Sequence, residues 1–399
     1  MLFSKLKEEF PTLINNSSLL YFDSAASTQT HQSVLDRMNK YYEEERCNVN
    51  RGDFEISRKV SDDLEEARTS VGKLFNVDPN KIMFTTGATQ GLNMVAEWYK
   101  DKQVVLISEA EHTANILPWI QQGRTIKNKK LQVIPIKDNG MLDMNVAEKL
   151  INQYGPTGFL SIHTTSNVTG IPTPHEKLIK LAHKNGMATC LDACQTPGTK
   201  KLKLFTTDFA VLSGHKLYGP TGIGILYSRL GFDKLRALTF GGDTADAYDF
   251  EGNITWHEGP SRHEPGTPNI AGILGMGTAC EWLDWITYDK IEQKMMEIDL
   301  AFSEAGMFDI EGMDLIYKNY RQNGRNVYTF NTSIHPSDIS AMLSLENIAV
   351  RAGKLCAHPI VNKVSGGKGV LRISPGVYNT QEDIELLVKG LWKVMKRLA

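Results

Sequence analysis

The sequence predicts an α/β fold, with a mostly parallel, doubly wound sheet and a second, smaller α+β unit. Three observations support this fold class. Short apolar runs alternate with helical patterns through the middle of the chain, as in parallel sheets that are covered by helices. Several of these runs end in small or polar residues, as strands do at the ligand-binding edge of such sheets. Towards the C-terminus, short strands and longer helices replace the regular alternation.

The N-terminal part predicts three helices and one strand. Leu2–Leu13 alternates apolar and charged residues, which indicates a short amphipathic helix. Leu19–Phe22 predicts a strand that enters the small residues 23–27, where a backbone can approach another group closely. Val34–Glu45 has a helical pattern, and Ser57–Leu74 predicts a long charged helix that forms a solvated face.

The alternating region predicts strands that break at small or polar residues. The predicted strands are Lys81–Thr85, Val104–Ser108, Phe159–His163, Ala188–Leu191 and Phe209–Leu212, followed by a further apolar run at Ile223–Tyr227. Helical patterns cover Gln90–Tyr99, a segment from about Ala114, and Glu176–His183. Because the carboxyl ends of parallel strands meet at one edge of a sheet, we expect the polar residues after these strands to lie together.

The segment Thr86–Thr89 predicts a phosphate site. It breaks a strand and enters a helix, and the first backbone N–H groups of a helix have no partner within that helix. Together with the positive end of the helix dipole, these groups favour a bound anion. Taken alone, the segment is also explained by a well-capped helix without a ligand.

Lys216 lies in the stretch Val211–Tyr227, where a β-rich run ends at Ser-Gly-His-Lys and a turn of Gly and Pro follows. A strand end and a tight turn hold the lysine amine in a fixed place. Lysine forms Schiff bases with carbonyl compounds, and pyridoxal phosphate is a common cofactor aldehyde that needs such a lysine. A solvated turn lysine explains this stretch equally well, since lysine is usually exposed.

Two further residues fit the needs of pyridoxal phosphate. Asp192 follows a predicted strand, where a carboxylate can keep the pyridine nitrogen protonated and make the ring an electron sink. His112 also follows a predicted strand and can stack on the ring. Taken alone, an aspartate at a strand end is more often a turn former, and a lone histidine more often has a structural role.

The region after residue 235 predicts a loop-rich stretch and then the α+β unit. Leu235–Asn269 contains many Gly and Pro residues. The helical patterns that follow are Gly272–Leu283, Tyr288–Gly306, Pro336–Leu345 and Ile384–Leu398, the last preceded by a capping signal at Thr380–Asp383. The strand patterns are Val327–Thr332, Ile348–Arg351 and Val370–Ile373.

The composition excludes several function classes. Of the 399 residues, 41% are hydrophobic and 23% are charged, which is ordinary for a globular enzyme. The formal net charge of −2 gives no electrostatic footprint for nucleic acid or a membrane surface, and no apolar run is long enough to span a bilayer. Five cysteines without a CxxC pair argue against a disulfide framework or a metal site and fit a reducing cytoplasm. No GxGxxG motif predicts a nicotinamide site.

Nine segments of the chain stand in an order typical of one family. They are YFDSAAS (21–27), TTGATQGLN (85–93), EHTANILPW (111–119), SNVTGIP (166–172), LDACQ (191–195), SGHKLYGPTGIGILY (213–227), EPGTPN (264–269), VRAGKLCAHP (350–359) and VYNTQED (377–383). Through them the whole chain resembles the class V aminotransferase superfamily, and within it the Suf-type (group II) cysteine desulfurases and selenocysteine lyases. The resemblance implies PLP fold type I. Residues 20–270 would form a large domain with a mostly parallel seven-stranded sheet, and residues 1–19 and 271–399 a small α+β domain.

The resemblance implies how the chain would hold pyridoxal phosphate. Lys216 would form the Schiff base and move a proton, Asp192 would pair with the pyridine nitrogen, and His112 would stack on the ring. Gln195 would bind the phenolic oxygen, and Asn167 would lie near that oxygen and the substrate. The phosphate would be bound by Ala88, Thr89, Ser213 and His215. Thr267 of the partner subunit would complete the phosphate site, which implies a homodimer.

The resemblance also implies a reaction on L-cysteine. Arg372 and Arg351 would clamp the substrate carboxylate with the bidentate geometry that lysine lacks. The thiolate of Cys356 would attack the substrate sulfur, leaving a persulfide for an acceptor protein and releasing alanine. This role requires an exposed cysteine on a mobile loop, and Cys356 follows Gly353 in a predicted loop. The other cysteines fit less well by position: Cys47, Cys190, Cys194 and Cys280.

Two departures from the family pattern leave part of the function open. Lys354 and Leu355 stand where two histidines usually precede the cysteine, and Asn50 stands where a histidine usually precedes Arg-Gly. We hypothesise that Lys354 supplies the positive charge that favours the thiolate. The acceptor pathway stays open between iron–sulfur assembly, tRNA thiolation and DNA phosphorothioation. Alternative functions are selenocysteine lysis, epimerisation or transamination on the same scaffold, and an inactive scaffold that binds a sulfur carrier.

Overall fold

The structure is a computed structural model that describes residues 6–320 and 324–399. The beginning of the predicted helix Leu2–Leu13 therefore lies outside the described residues. Within them, Leu6–Glu9 form a 3-10 helix and Pro11–Asn15 form a short α-helix. The predicted helix is interrupted because Phe10 between them has an extended backbone.

The helices and strands of the described residues are numbered here in chain order. The helices are α1 (Pro11–Asn15), α2 (Gln32–Glu44), α3 (Glu55–Phe75), α4 (Ala88–Trp98), α5 (Leu117–Thr125), α6 (Met144–Tyr154), α7 (His175–Lys184), α8 (Ile270–Ile286), α9 (Tyr288–Glu304), α10 (Pro336–Ser344), α11 (His358–Ser365) and α12 (Gln381–Leu398). The strands are β1 (Leu20–Tyr21), β2 (Ile82–Thr85), β3 (Val104–Ser108), β4 (Lys130–Ile134), β5 (Gly158–His163), β6 (Ala188–Asp192), β7 (Phe209–Ser213), β8 (Gly224–Ser228), β9 (Ala245–Tyr248), β10 (Ile254–Trp256), β11 (Met313–Leu315), β12 (Tyr328–Thr332), β13 (Ile348–Ala349), β14 (Arg351–Gly353) and β15 (Val370–Ile373).

Seven strands form the large sheet, in the order β2-β8-β7-β6-β5-β3-β4. β8 runs antiparallel to both of its neighbours, and all pairs from β7 to β4 are parallel. Alternate residues of β7 enter different hydrophobic clusters, with Phe209 and Val211 in one and Ala210 and Leu212 in the other. Both faces of the sheet are therefore covered, which explains the continuous apolar runs. The predicted α/β fold with a mostly parallel seven-stranded sheet is confirmed.

A second, antiparallel sheet lies in the C-terminal part, in the order β11-β12-β15-β14. Helix α10 packs on β14 and β15 and also on α12. The N-terminal segment joins this part of the molecule, because Leu20 of β1 pairs in parallel with Ile348 of β13 and Asp23 forms a bridge with Ser374. The predicted capping signal is present at α12, where Thr380 and Asp383 form a reciprocal capping box.

Several details of the sequence prediction were wrong or incomplete. Helix α3 is not simply solvated, because Val60, Leu64 and Val71 on one face are buried and the helix packs against α8. The region predicted as loop between Leu235 and Asn269 contains an antiparallel hairpin of β9 and β10. The prediction also lacked β4, β11, α6 and α11. In the part of the chain that is described, no helix is long and apolar enough to cross a bilayer.

Candidate active site

A cavity of about 340 Å³ is lined by residues that follow β2, β3, β5, β6 and β7 and by residues of β14 and the loop after it. It brings together every predicted site residue except Thr267. Those residues are Ala88, Thr89, His112, Asn167, Asp192, Gln195, Ser213, His215, Lys216, Arg351, Cys356 and Arg372. The expectation that polar strand ends meet at one edge of the sheet agrees with this arrangement.

The start of α4 forms one wall of the cavity. The N-cap residue of this helix is Gly87, which has no side chain to cap it and has a φ of 151°, a conformation that favours glycine. The backbone N–H of Ala88 donates to Ser213 Oγ at 2.9 Å. Gly224 of β8 lies so close to this turn that a Cβ there would come within 2.7 Å of Gly87 Cα. The backbone N–H groups at this helix start and the nearby hydroxyl together suit a phosphate group.

Asp192 ends β6 with its side chain in the cavity. The residue is only 7% exposed, and its Oδ1 accepts a hydrogen bond from the backbone N–H of Cys194 at 3.1 Å. This bond fixes the orientation of the carboxylate at the strand end. A buried carboxylate in this position can hold a pyridinium N–H.

His112 is placed as a neutral aromatic ring. Its Nδ1 accepts the backbone N–H of Ala114 at 3.1 Å, so the ring is fixed at the start of the 3-10 helix Thr113–Asn115. Burial lowers the pKa of His112, and the positive charge of Lys216 adds to this effect, whereas Asp192 opposes it. A neutral ring held in one orientation suits stacking on a cofactor ring.

Lys216 and His215 lie in a single 3-10 turn directly after β7. The main chain of this turn is fixed, because the His215 carbonyl accepts hydrogen bonds from the N–H of Thr28 at 2.8 Å and from its hydroxyl at 3.1 Å. Burial, assisted by the neighbouring Lys216 charge, lowers the pKa of His215 to about 4. His215 is therefore neutral near pH 7, and it can donate or accept a hydrogen bond without adding charge.

The two amide side chains in the cavity each have one donor already engaged. Gln195 Nε2 donates to the carbonyl of Ala25 at 2.8 Å. Asn167 Nδ2 donates to the carbonyl of Leu355 at 2.7 Å. An amide nitrogen carries two hydrogens, so each side chain keeps a donor for a ligand. The bond from Asn167 also ties the loop that carries Cys356 to the segment that follows β5.

Both predicted carboxylate-binding arginines pair with one acid, which the sequence interpretation did not identify. Asp23 accepts from Arg351 Nε and Nη2 at 2.9 and 2.6 Å and from Arg372 Nη2 at 3.0 Å. Arg372 also donates from Nη1 to the carbonyl of Asn167 at 3.0 Å, and its buried Nε has no hydrogen-bond partner among the described residues. The signal in the sequence was an aspartate at the end of a predicted strand.

A buried Glu–His pair beneath the cavity was also missed. His163, the last residue of β5, lines the cavity, and its Nδ1 lies 2.8 Å from Glu111 Oε1. Burial opposes protonation of His163, but the Glu111 charge and hydrogen bond outweigh it and raise the pKa of the ring. Asn115 Nδ2 donates to the other oxygen of Glu111 at 2.9 Å. This network braces the segment that carries His112 against β5, next to Asp192 on β6.

Cys356 differs from the other cysteines in its exposure. It is exposed, Cys47 is half-buried, and the other three cysteines are buried. Burial raises the pKa of the thiols of Cys190 and Cys280, while Cys194 lies in the cavity wall with its pKa also raised by burial. Raised thiol pKa values disfavour the reactive thiolate. Position and exposure therefore favour Cys356 as a nucleophile.

Lys354 and Thr267, two residues with roles predicted from the sequence, contact other groups than those predicted. The ammonium of Lys354 donates to Asn362 Oδ1 and to the carbonyl of Gly367, both at 2.5 Å. These bonds give no support to the hypothesis that Lys354 acts on the thiol. Arg351, unlike Lys354, lines the cavity together with Cys356. Thr267 lies outside the cavity of its own chain, where its hydroxyl donates to Asn48 Oδ1 at 3.3 Å.

The donor set fits pyridoxal phosphate. The cavity combines a helix start, a lysine amine, a buried carboxylate at the end of the neighbouring strand and a neutral imidazole. The unpartnered Nε of Arg372 is a buried donor of the kind that a substrate carboxylate satisfies. By contrast, the described residues contain no group of three or more His, Cys, Asp or Glu side chains arranged for a metal ion.

Comparisons with known proteins agree with this chemistry. A family model described as Aminotransferase class-V matches residues 20–387. Probable cysteine desulfurases of Halalkalibacterium halodurans and Vibrio cholerae are 34% and 32% identical to the chain, covering 98% of it and 97% and 98% of their own lengths.

Solved structures give the same result. The apo structure of the cysteine desulfurase from Thermococcus onnurineus has a TM-score of 0.91 at 30% identity, covering 99% of this chain and 98% of that chain. The cysteine desulfurase CsdA of Escherichia coli has a TM-score of 0.88 at 29% identity, covering 100% and 99%. The resemblance predicted from the nine segments is confirmed at the level of the superfamily: the chain belongs to the aminotransferase class-V family.

Proposed function

We propose that this protein is a pyridoxal phosphate-dependent cysteine desulfurase, which converts L-cysteine to L-alanine and transfers the sulfur to Cys356 as a persulfide. The observation that carries the proposal is the position of Cys356. It is exposed, and it lines the same cavity as Lys216, Asp192 and Arg372. The curated relatives and the two structural neighbours described above are cysteine desulfurases by name.

The proposed mechanism divides the work among the side chains of the cavity. When bound, the cofactor supplies an electron sink for negative charge at the substrate α-carbon. Lys216 would hold the cofactor and move the α-proton, Asp192 would keep the pyridine nitrogen protonated, and His112 would stack on the ring. The start of α4 and Ser213 Oγ would hold the phosphate.

In the sulfur transfer step, Cys356 acts as the nucleophile. Its thiolate attacks the sulfur of the bound cysteine, so that an S–S bond forms and the C–S bond of the substrate breaks. The electron pair of the C–S bond stays with the substrate carbon, which takes up a proton and leaves as alanine. Arg351 lines the cavity together with Cys356.

Substrate binding is assigned to the two arginines. Arg372 is almost fully buried and fixed by Asp23 and the Asn167 carbonyl, whereas half of the Arg351 side chain is exposed. We infer that Arg372 provides the fixed contact to the substrate carboxylate, and that Arg351 binds both this carboxylate and Asp23. The guanidinium geometry of both suits bidentate binding.

The proposal extends to assembly and location. We infer a homodimer in which Thr267 of the partner subunit reaches the phosphate, and a protein acceptor for the persulfide. All five cysteines are free, which fits a reducing compartment, and we propose the cytoplasm. We also propose that residues 20–270 form the cofactor domain and residues 1–19 and 271–399 the domain with the cysteine loop, joined by the pairing of β1 with β13.

The test compares alanine and sulfide release from L-cysteine, with a reductant present, in the wild type and in Cys356→Ser. We expect equal amounts of both products from the wild type and a loss of about 10³-fold or more in the variant, as for removal of other covalent nucleophiles. Cys47→Ser is the matched control, since Cys47 lies outside the cavity, and it should keep wild-type rates.

The same experiment separates the alternatives. A Cys356→Ser variant with wild-type rates would contradict the desulfurase proposal. Activity of that variant on selenocysteine alone would identify a lyase. A purified protein that neither binds pyridoxal phosphate nor turns over either substrate would point to an inactive scaffold.

A further inference from the structure

The backbone at the proposed nucleophile has an unusual conformation. Leu355 and Cys356 have φ values of 52° and 53°, so two consecutive residues other than glycine lie in the left-handed region. Branched and bulky side chains rarely adopt this region, because the Cβ approaches the following carbonyl oxygen. Such strain persists only where surrounding contacts impose it, and it concentrates at functional sites.

The contacts that impose this conformation come from two segments of the cavity wall. The carbonyl of Cys356 accepts hydrogen bonds from the backbone N–H of Thr113 at 2.7 Å and from its hydroxyl at 2.6 Å. The preceding carbonyl, that of Leu355, accepts from Asn167 Nδ2 at 2.7 Å. Both carbonyls of the strained dipeptide are therefore held by large-sheet segments.

Thr113 connects this loop to the ring-stacking residue. It directly follows His112, and both residues belong to the turn that enters the 3-10 helix Thr113–Asn115. The Glu111 network holds the same turn against β5 through His163 and Asn115. The position of the Cys356 carbonyl is thus fixed relative to the cofactor side of the cavity through one threonine.

We propose that Thr113 is the positioning residue that holds the Cys356 thiol towards the cavity during sulfur uptake, and that its release lets the loop relax and present the persulfide to the acceptor. This inference rests on the proposed desulfurase function. The hydroxyl is the adjustable part of the contact, since it can rotate away from the carbonyl, whereas the backbone N–H cannot. Thr113 itself is only half-buried, so an approaching acceptor protein can reach it.

The experiment uses the cofactor-loaded enzyme with two substitutions. Thr113→Val keeps the branched shape and removes the donor, and Thr113→Ser keeps the donor. Thr125→Val is the matched control, because Thr125 is exposed on α5 and its hydroxyl donates only to helix carbonyls. The measurements are the alkylation rate of Cys356 by iodoacetamide, the single-turnover rate of persulfide formation, and the KM for L-cysteine.

We expect Thr113→Val to speed alkylation and to slow persulfide formation, each by roughly threefold to tenfold, the range for one hydrogen bond. KM should stay unchanged, because the arginines that bind the carboxylate are untouched. Thr113→Ser and Thr125→Val should match the wild type in all three measurements. Equal alkylation and persulfide rates in Thr113→Val and the wild type would overturn the proposal, as would a Thr113→Ser variant that behaves like Thr113→Val.

The alkylation measurement tests the positioning role of Thr113 independently of the proposed desulfurase function. If the wild type forms no persulfide, the desulfurase function fails, while the alkylation comparison still shows whether Thr113 positions the thiol. As a second measurement, deuterium exchange of the segment 354–357 should be faster in Thr113→Val than in Thr113→Ser. Equal exchange in the two variants would also overturn the positioning role.

Discussion

The two sides of the cavity are built in different ways. On the cofactor side, functional groups stand at the ends of buried strands, and Asp192 is held by a backbone hydrogen bond within its own turn. On the other side, the exposed Cys356 lies on a loop that is held by residues from elsewhere, because Thr113 and Asn167 bind its carbonyls and Asp23 binds Arg351 of the preceding strand. Strand ends suit a cofactor that must stay in one geometry. A loop that is held by a few side-chain bonds suits a group that must first take up sulfur and then release it.

The largest expected effect comes from breaking the cofactor side at Lys216. Lys216→Ala should abolish the visible absorbance of bound pyridoxal phosphate and lower alanine release by about 10²- to 10⁴-fold, the range for loss of a proton-transfer group. The alkylation rate of Cys356, compared in cofactor-free proteins, should stay at the wild-type value because the loop has its own contacts. Lys149→Ala, an exposed lysine on α6, should leave activity unchanged. A large change of Cys356 alkylation in Lys216→Ala would show that the two sides are not independent.

A smaller effect is expected from breaking the ion pairs that tie β14 to the N-terminal segment. Asp23→Asn leaves the buried Arg372 without its charge partner, so the free energy of unfolding should fall by roughly 3 kcal/mol. Asp243→Asn is the control, since Asp243 pairs at 2.8 Å with Arg51, whose side chain is 72% exposed, and it should cost about 0.5 kcal/mol or less. Denaturation of the cofactor-free proteins by urea measures both values. Equal losses would contradict the structural role of Asp23.

The smallest effect concerns the pH dependence of the cofactor side. The pKa of His215 is lowered to about 4 from 6.5, so below about pH 6.5 the unfolded chain binds a proton that the folded chain does not. Stability therefore falls as the pH is lowered from about 6.5 towards 4, and this contribution is constant above that window. His215→Gln should flatten the acid side of the unfolding temperature against pH in the cofactor-free protein. Identical slopes in His215→Gln and the wild type would refute the assignment.

The cofactor side could be predicted from the sequence for a physical reason. Buried parallel strands are continuous apolar runs, and the polar residues that follow them must gather at one edge. This logic is sufficient to assign Asp192 and Lys216 to that edge. It failed for β4, where the edge strand Lys130–Ile134 is only partly buried, and for the hairpin strand β9, which is largely exposed and lacks an apolar face.

The loop side could be predicted only in part. The proposed nucleophile, Cys356, followed from a family resemblance, but the contacts that place it join residues far apart in the sequence. Asp23 and Arg351 are 328 positions apart in the sequence, and Thr113 and Cys356 are 243 positions apart. The direction of the Lys354 ammonium depends on the path of the chain near Gly367. Local sequence pattern and residue type carry no information about such contacts between distant segments.

The pairing of β1 with β13 has a consequence for how the protein is made. Strand β1 is synthesised before the large sheet, but its partner β13 leaves the ribosome only after the whole large sheet. Domains fold as units during synthesis, N-terminal parts first, and pairings between distant segments form slowly. We therefore expect the large sheet to be complete before residues 20–23 pair with the C-terminal segments. The nascent chain would then form the cofactor side of the cavity before the loop that carries Cys356 is in place.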